Sequence, residues 1–170
     1  VIGIEPDPTL WQDAIIHTKA VPNIEILHGS AEHIPSPLKA NSVDIVHARW
    51  AYFFGEGAEK GLAAVMNILK PGGVFIAIDN SWRSGDFAKL LKASTGGNSD
   101  YSPDPTDRWW KENGVTRIEI SNAGWSTKNA SELASILSIE FPKPVVDSFL
   151  NHHEGAYLSY AIALFVIRKS

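Results

Sequence analysis

The sequence predicts an α/β fold on a mostly parallel sheet, with an antiparallel edge toward the carboxyl end. Three observations carry this. Apolar runs such as VIGI and GVFIAI lack the polar alternation of a half-exposed strand, as strands covered on both faces do. Amphipathic segments with apolar residues three and four apart separate these runs, which is the pattern of helices laid on a parallel sheet. Clean alternation appears only late, in VTRIEIS, before the long apolar stretch AYLSYAIALFVIRK.

The first strand is VIGIE, bounded by Glu5 and the prolines Pro6 and Pro8. Leu10, Trp11, Ala14 and Ile15 recur at helical spacing within Thr9–Ala20, with Thr9 as N-cap and Pro22 as the close. Ile24–Leu27 is a second strand, and the polar loop GSAEHIPSP follows it. SVDIVHA is the third strand, an almost continuous apolar run with Asp44 near its start. In EKGLAAVMNIL the residues Leu62, Val65, Met66 and Leu69 mark one helix face. LKPGG stops that helix, since Pro71 and the glycines disfavour its continuation. GVFIAIDN is the fourth strand. DFAKLLKAS is a helix, TGGNSDYSPDPTD a loop, and RWWKEN a short helix. VTRIEIS is a half-exposed strand. Asn129 and Glu132 form a capping box that opens ASELASILSI. Pro144 suits a first helical turn ahead of Val145, Val146, Phe149 and Leu150, and AYLSYAIALFVIRK is the last strand.

With 170 residues, 44% of them hydrophobic, and a net charge of -4, the chain can bury one core of ordinary size, so residues 1–170 are expected to form one domain. No apolar stretch approaches the roughly 18 residues that span a bilayer, and no basic segment precedes an apolar one, so neither a membrane protein nor a signal-bearing secreted one is expected. The absence of cysteine excludes disulfides, thiolate metal sites and cysteine nucleophiles, and makes a cytoplasmic location the default. Interspersed charges of both signs argue against nucleic acid and for a small-molecule partner. The six Trp and four Tyr residues serve chiefly as packing residues, with some available to line a pocket.

Glu5 carries the first chemical signal. A carboxylate at the carboxyl end of a parallel strand can accept both hydroxyls of a ribose, so it points to a ribosyl ligand without saying which. Neighbouring His152, His153 and Glu154 do not share a helix face and lack a spaced partner, which reads as a solvated helix end rather than a metal site. His28, Glu32 and His33 flank a turn where a metal is conceivable, but none is expected. Hydrolase elbows and phosphate-binding P-loops are absent from the sequence.

Four motifs in order, VIGIEP, GSAEHIP, SVDIVHARWAYFF and LKPGGVFIAID, together with the closing order of strand, helices and strand, resemble a class I S-adenosylmethionine-dependent methyltransferase of the type 11 kind. The resemblance covers Val1 through Lys169. It implies a Rossmann-like sheet and S-adenosylmethionine as cofactor. It further implies that Glu5 grips the ribose and that Ser30 and Ala31 meet the adenine edge. Ser30 stands where the family usually has Asp, and a hydroxyl brings no charge to that contact. Ala48 and Arg49, beside His47, would face the methionine moiety. Trp50 and Tyr52 would supply an aromatic wall near the sulfonium, or, with Phe53 and Phe54, a hydrophobic plug. Asp79, Asn80 and Trp82 would lie on the rim nearest the methyl acceptor, which makes Trp50, Tyr52 and Trp82 the substrate-side candidates. The sulfonium is already activated, so alignment can suffice and no catalytic residue is named.

The family's glycine-rich loop between its first strand and first helix has no counterpart in this sequence. Gly72 and Gly73 are expected to end a helix, and Gly96 and Gly97 fall in a loop. With only four residues before Glu5, the expectation is an N-terminally truncated, incomplete methyltransferase domain that lacks a central strand. Exposed strand edges would then favour pairing with another chain, a homodimer being one way to fill the gap. Three readings of function follow: methyl transfer to a small molecule, with the chain itself an inactive fragment in one version of that reading; a non-catalytic remnant or binding module of the same fold; and a nicotinamide-dependent oxidoreductase. The last fits Glu5 but neither GSAEHIP nor LKPGG.

Overall fold

The computed structural model describes residues 1–52, 54–96 and 103–170. Phe53 of the expected plug, and positions 97–102 of the expected loop with Gly97 among them, lie outside the described residues. In chain order the elements are β1 (Ile2–Glu5), α1 (Pro8–Thr18), β2 (Glu25–His28), β3 (Val43–Arg49), α2 (Glu59–Ile68) and β4 (Leu69–Gly85). Then come α3 (Asp86–Ser94), α4 (Pro103–Glu112), β5 (Arg117–Ser126), α5 (Ala130–Glu140), α6 (Lys143–Leu150) and β6 (Tyr157–Arg168).

The strands hydrogen-bond in the order β1-β2 in one sheet and β3-β4-β6-β5 in another. The β1-β2 pair is parallel and β5-β6 antiparallel, with β5 on the edge, so the mixed α/β sheet with its antiparallel carboxyl-terminal side is present. Two compact units can be distinguished, Val1–Ile76 with Ile167–Ser170, and Ala77–Val166.

In the first unit, α1 begins one residue earlier than Thr9, at Pro8, because proline has no N–H to lose in a first turn and its φ is already helical. The cap is therefore Asp7, whose Oδ1 accepts from the Thr9 and Leu10 amides at 2.8 and 3.0 Å. No described residue before Phe54 is buried. The third strand thus departs from the expected two-sided burial: Ile45 is 64% exposed, and β3 has β4 as its only hydrogen-bonded neighbour among the described residues. Gly61, Leu62, Val65 and Ile68 form the buried face of α2, and Leu69 at its end is already extended. LKPGG accordingly stops the helix but belongs to β4. Gly72, at φ 77°, donates its N–H to the Lys169 carbonyl at 2.8 Å, and Lys169 donates back to Gly73 at 2.9 Å. The Lys169 ammonium also donates to Asn41 Oδ1 and to the Asn67 and Leu69 carbonyls.

The second unit holds a core of Leu90, Leu133, Leu137, Phe141, Val146 and Leu158, drawn from α3, α5, α6, β6 and the residue after α5. Trp110 on α4 stacks on Phe165 of β6, with ring centroids 4.7 Å apart. Residues 103–107, expected as loop, begin α4 instead; Pro105 sits in the first turn, where a missing N–H costs nothing. At α5, Asn129 Oδ1 accepts from the Glu132 amide at 2.9 Å, while Glu132 reaches back to the Lys128 amide rather than to Asn129. Gly85, at φ 90°, joins β4 to α3 where a Cβ would lie 2.8 Å from the Tyr160 Cα, so only glycine fits there.

Candidate functional site

The site candidates of the first unit gather where β1 and β2 end together. Their register pairs Glu5 with His28, and the Gly29 amide donates to the Glu5 carbonyl at 3.2 Å. Parallel pairing of two four-residue strands therefore sets the Glu5 backbone beside the start of the loop that carries Ser30 and Ala31. Glu5 Oε1 accepts from the Asp7 amide at 2.9 Å, and Oε2 has no partner among the described residues. One oxygen thus orients the carboxylate while the other keeps its lone pairs for hydroxyl donors. Beneath the rim, Trp11 donates to the Ile26 carbonyl and packs on His28 at 5.2 Å. His28 itself is held to the Pro6 carbonyl at 3.0 Å.

The loop is a closed turn. The Ser30 and His33 amides donate to each other's carbonyls, both at 3.2 Å, and Ser30 Oγ also accepts from the His33 amide. Its hydroxyl keeps one lone pair for an outside donor such as an exocyclic amine. Glu32 accepts from the Tyr52 hydroxyl at 2.7 Å, and His33 Nε2 lies 3.4 Å from the Lys60 ammonium. Glu32, His28 and His33 thus take three separate partners instead of meeting around a metal. Among the described residues no three His, Asp or Glu side chains gather as a metal site.

Beyond Ala48 and Arg49 at the end of β3, Trp50 turns the chain at φ 48°, a left-handed conformation that bulky residues rarely adopt. The Arg49 guanidinium lies over the Trp50 ring, 4.1 Å from its centroid. That distance is within cation–π range for a guanidinium on an indole. Trp50 is 49% exposed, whereas Phe54 is buried, so the described aromatics of this stretch divide: Phe54 plugs the core and Trp50 stands at the surface. Tyr52 lies between them, half-buried, edge-on to Phe54 at 4.8 Å. Burial, aided by the bond to Glu32, pushes its phenol up to about 12, so it stays a donor.

Trp82 belongs to the second unit, on β4, where it is half-buried. Asp79 on the same strand is pushed above the usual carboxylate range by burial, and it accepts from the Asn80 amide. A cavity of about 270 Å³ in this unit is lined by Asp86, Lys89, Leu90, Phe149, His152 and His153, among others. Asp86 there is engaged with Ser159 and Lys89, His152 with the Ser148 carbonyl and His153 with the Tyr157 carbonyl.

Comparison with known proteins bears on the fold. Residues 1–77 match the family model of a methyltransferase domain. The YcgJ protein from Bacillus subtilis has a similar structure at 15% identity and a TM-score of 0.62, over 99% of this chain and 81% of that one. A candidate methyltransferase from Bacillus halodurans C-125 is similar at 15% identity and 0.61, over 99% and 82%. A geranyl diphosphate methyltransferase, solved with GPP and sinefungin, is similar at 9% identity and 0.58, over 100% and 63%. No curated protein matches the sequence. The fold is one this chain shares with these structures, and residues 1–77 match the model of a methyltransferase domain.

Sequence reasoning singled out Glu5, Ser30 and Ala31, which the structure brings onto one rim. It missed the pairing of Glu32 with Tyr52, because the only signal was an acid in a polar loop and a tyrosine 20 positions away.

Proposed function

We propose that this chain carries the adenosine-binding side of a cytoplasmic S-adenosylmethionine-dependent methyltransferase acting on a small molecule. The observation that supports it most is Glu5 at the strand end, paired with His28 and with its carboxylate oriented by the Asp7 amide, where the chain enters the closed Ser30–His33 turn. Glu5 would accept from ribose hydroxyls through its open oxygen. Ser30 and Ala31 would meet adenine, and Ala48 and Arg49 the methionine end, with Trp50 and Tyr52 on the acceptor side. The bound cofactor would supply a methyl group already activated on its sulfonium, so these residues need only bind and orient. Sinefungin in the geranyl diphosphate methyltransferase is an S-adenosylmethionine analogue, which is consistent with this ligand class.

A second reading, a non-catalytic binding module, is favoured by one observation: Glu5 and Ser30 each spend an acceptor site on a nearby backbone amide, that of Asp7 and that of His33. Calorimetric titration separates the readings. The first expects binding of S-adenosylhomocysteine and none of NADH, and it expects Glu5→Gln to weaken binding about tenfold or more, the effect of losing a charged hydrogen-bond acceptor. Silence toward both ligands supports the binding module, and binding of NADH alone supports an oxidoreductase.

A further inference from the structure

We propose that Tyr52 and Glu32 form a positioning latch for the 29–33 loop, seated on Gly61; its bearing on cofactor rests on the reading just given. The Tyr52 hydroxyl donates to Glu32 Oε1 at 2.7 Å across 20 residues of sequence, tying the loop after β2 to the segment after β3. The ring is fixed from behind. It packs edge-on to Phe54, which in turn packs edge-on to Phe75 at 4.8 Å, and Phe54 and Phe75 are 5% and 0% exposed.

Gly61 on α2 completes the seat. A Cβ there would lie 2.8 Å from the Tyr52 Cε1, Cζ and hydroxyl oxygen. The conflict falls on the far end of a side chain, not on backbone. Alanine at 61 would therefore move the hydroxyl away from Glu32 while leaving the helix able to form. Lys60, the neighbouring helix residue, touches the same loop through His33 at 3.4 Å. The loop is also tightly wound, since a Cβ at Gly29 would meet Pro35 at 2.7 Å and the His33 carbonyl at 2.9 Å. A turn so short has few ways to move, so a single charge-assisted bond can fix where the Ser30 and Ala31 backbone points. The raised Tyr52 phenol keeps the donor in place at any ordinary pH.

Amide hydrogen exchange and S-adenosylhomocysteine titration of the whole chain test this with Tyr52→Phe, Glu32→Ala, the double variant and Gly61→Ala. Tyr52→Phe removes one oxygen from a ring that keeps its packing, so it should fold. Each single variant should speed exchange of the residue 30–33 amides about tenfold, with those of β1 and β2 unchanged, and weaken ligand binding about tenfold. The double variant should be no worse than either single one. Unchanged loop exchange, acceleration spread equally over β1 and β2, or additive effects would overturn the latch. Faster loop exchange with unaltered affinity would overturn its positioning role. If the unsubstituted chain binds no S-adenosylhomocysteine, the cofactor reading fails, and the latch is judged by exchange alone: local acceleration supports it and none overturns it.

Discussion

Asp86 shows how one side chain fastens two elements. Its carboxylate accepts from the Ser159 hydroxyl at 2.6 Å and the Ser159 amide at 3.1 Å, and Ser159 Oγ in turn accepts from the Asp86 amide. Burial pushes the group up, but these bonds and Lys89 outweigh it and hold it down at about 2. Its ordinary value, near 3.9, applies in the unfolded chain. The contribution is therefore complete above that value and disappears as pH falls toward about 2. Ser159→Ala should cost about 1.5–3 kcal/mol at neutral pH, the usual worth of hydrogen bonds to a charged group. Urea unfolding should show that difference shrinking between about pH 4 and pH 2. Legibility at this scale was uneven. Glu5 was readable because a strand-end acid is a local signal, whereas Asp86 with Ser159, and Glu32 with Tyr52, depend on residues 73 and 20 positions apart.

Elements were more legible than contacts, because periodicity and caps are written in neighbouring residues. Asn129 was identified as the α5 cap and does accept from Glu132. Replacing it with alanine should lower stability by about 1 kcal/mol without altering the denaturant slope, as equilibrium unfolding would register. Proline accounts for the element boundaries that shift: Pro8 and Pro105 lie inside their helices because first turns accept them, and in LKPGG the chain passes from Ile68 straight into β4. Asp7 was overlooked for Thr9 because both are capping types and only the position of Pro8 decides between them. The exposure of β3 could not be read from composition, since a Val/Ile run looks the same whether or not both faces find cover.

For the whole molecule, the sequence led to an α/β sheet with an antiparallel carboxyl-terminal side, and that is what the strands form. The two sheets leave β1 and β3 each with one hydrogen-bonded neighbour among the described residues. Nothing described before Phe54 is buried, while Leu133, Leu158 and Phe75 are fully so. Protection should follow that gradient. Amides of β1, β2 and β3 should exchange orders of magnitude faster than those of α5 and β6, which hydrogen-exchange mass spectrometry would reveal. Unpaired edges carrying Ile2 and Ile45, 42% and 64% exposed, should also favour strand pairing between copies. Light scattering should then report a dimer at micromolar concentration, and a stable monomer there would rule the pairing out.

The grip of Lys169 has a consequence in the order of synthesis. The first unit takes in Ile167–Ser170, and Lys169 reaches Asn41 across 128 positions as well as pairing with Gly72 and Gly73. A chain made from its amino end can form β1, α1 and α2 early, yet it cannot close this unit until residue 169 has left the ribosome. The unit whose first strands emerge earliest therefore closes only through a contact of very long sequence separation, the kind that slows folding.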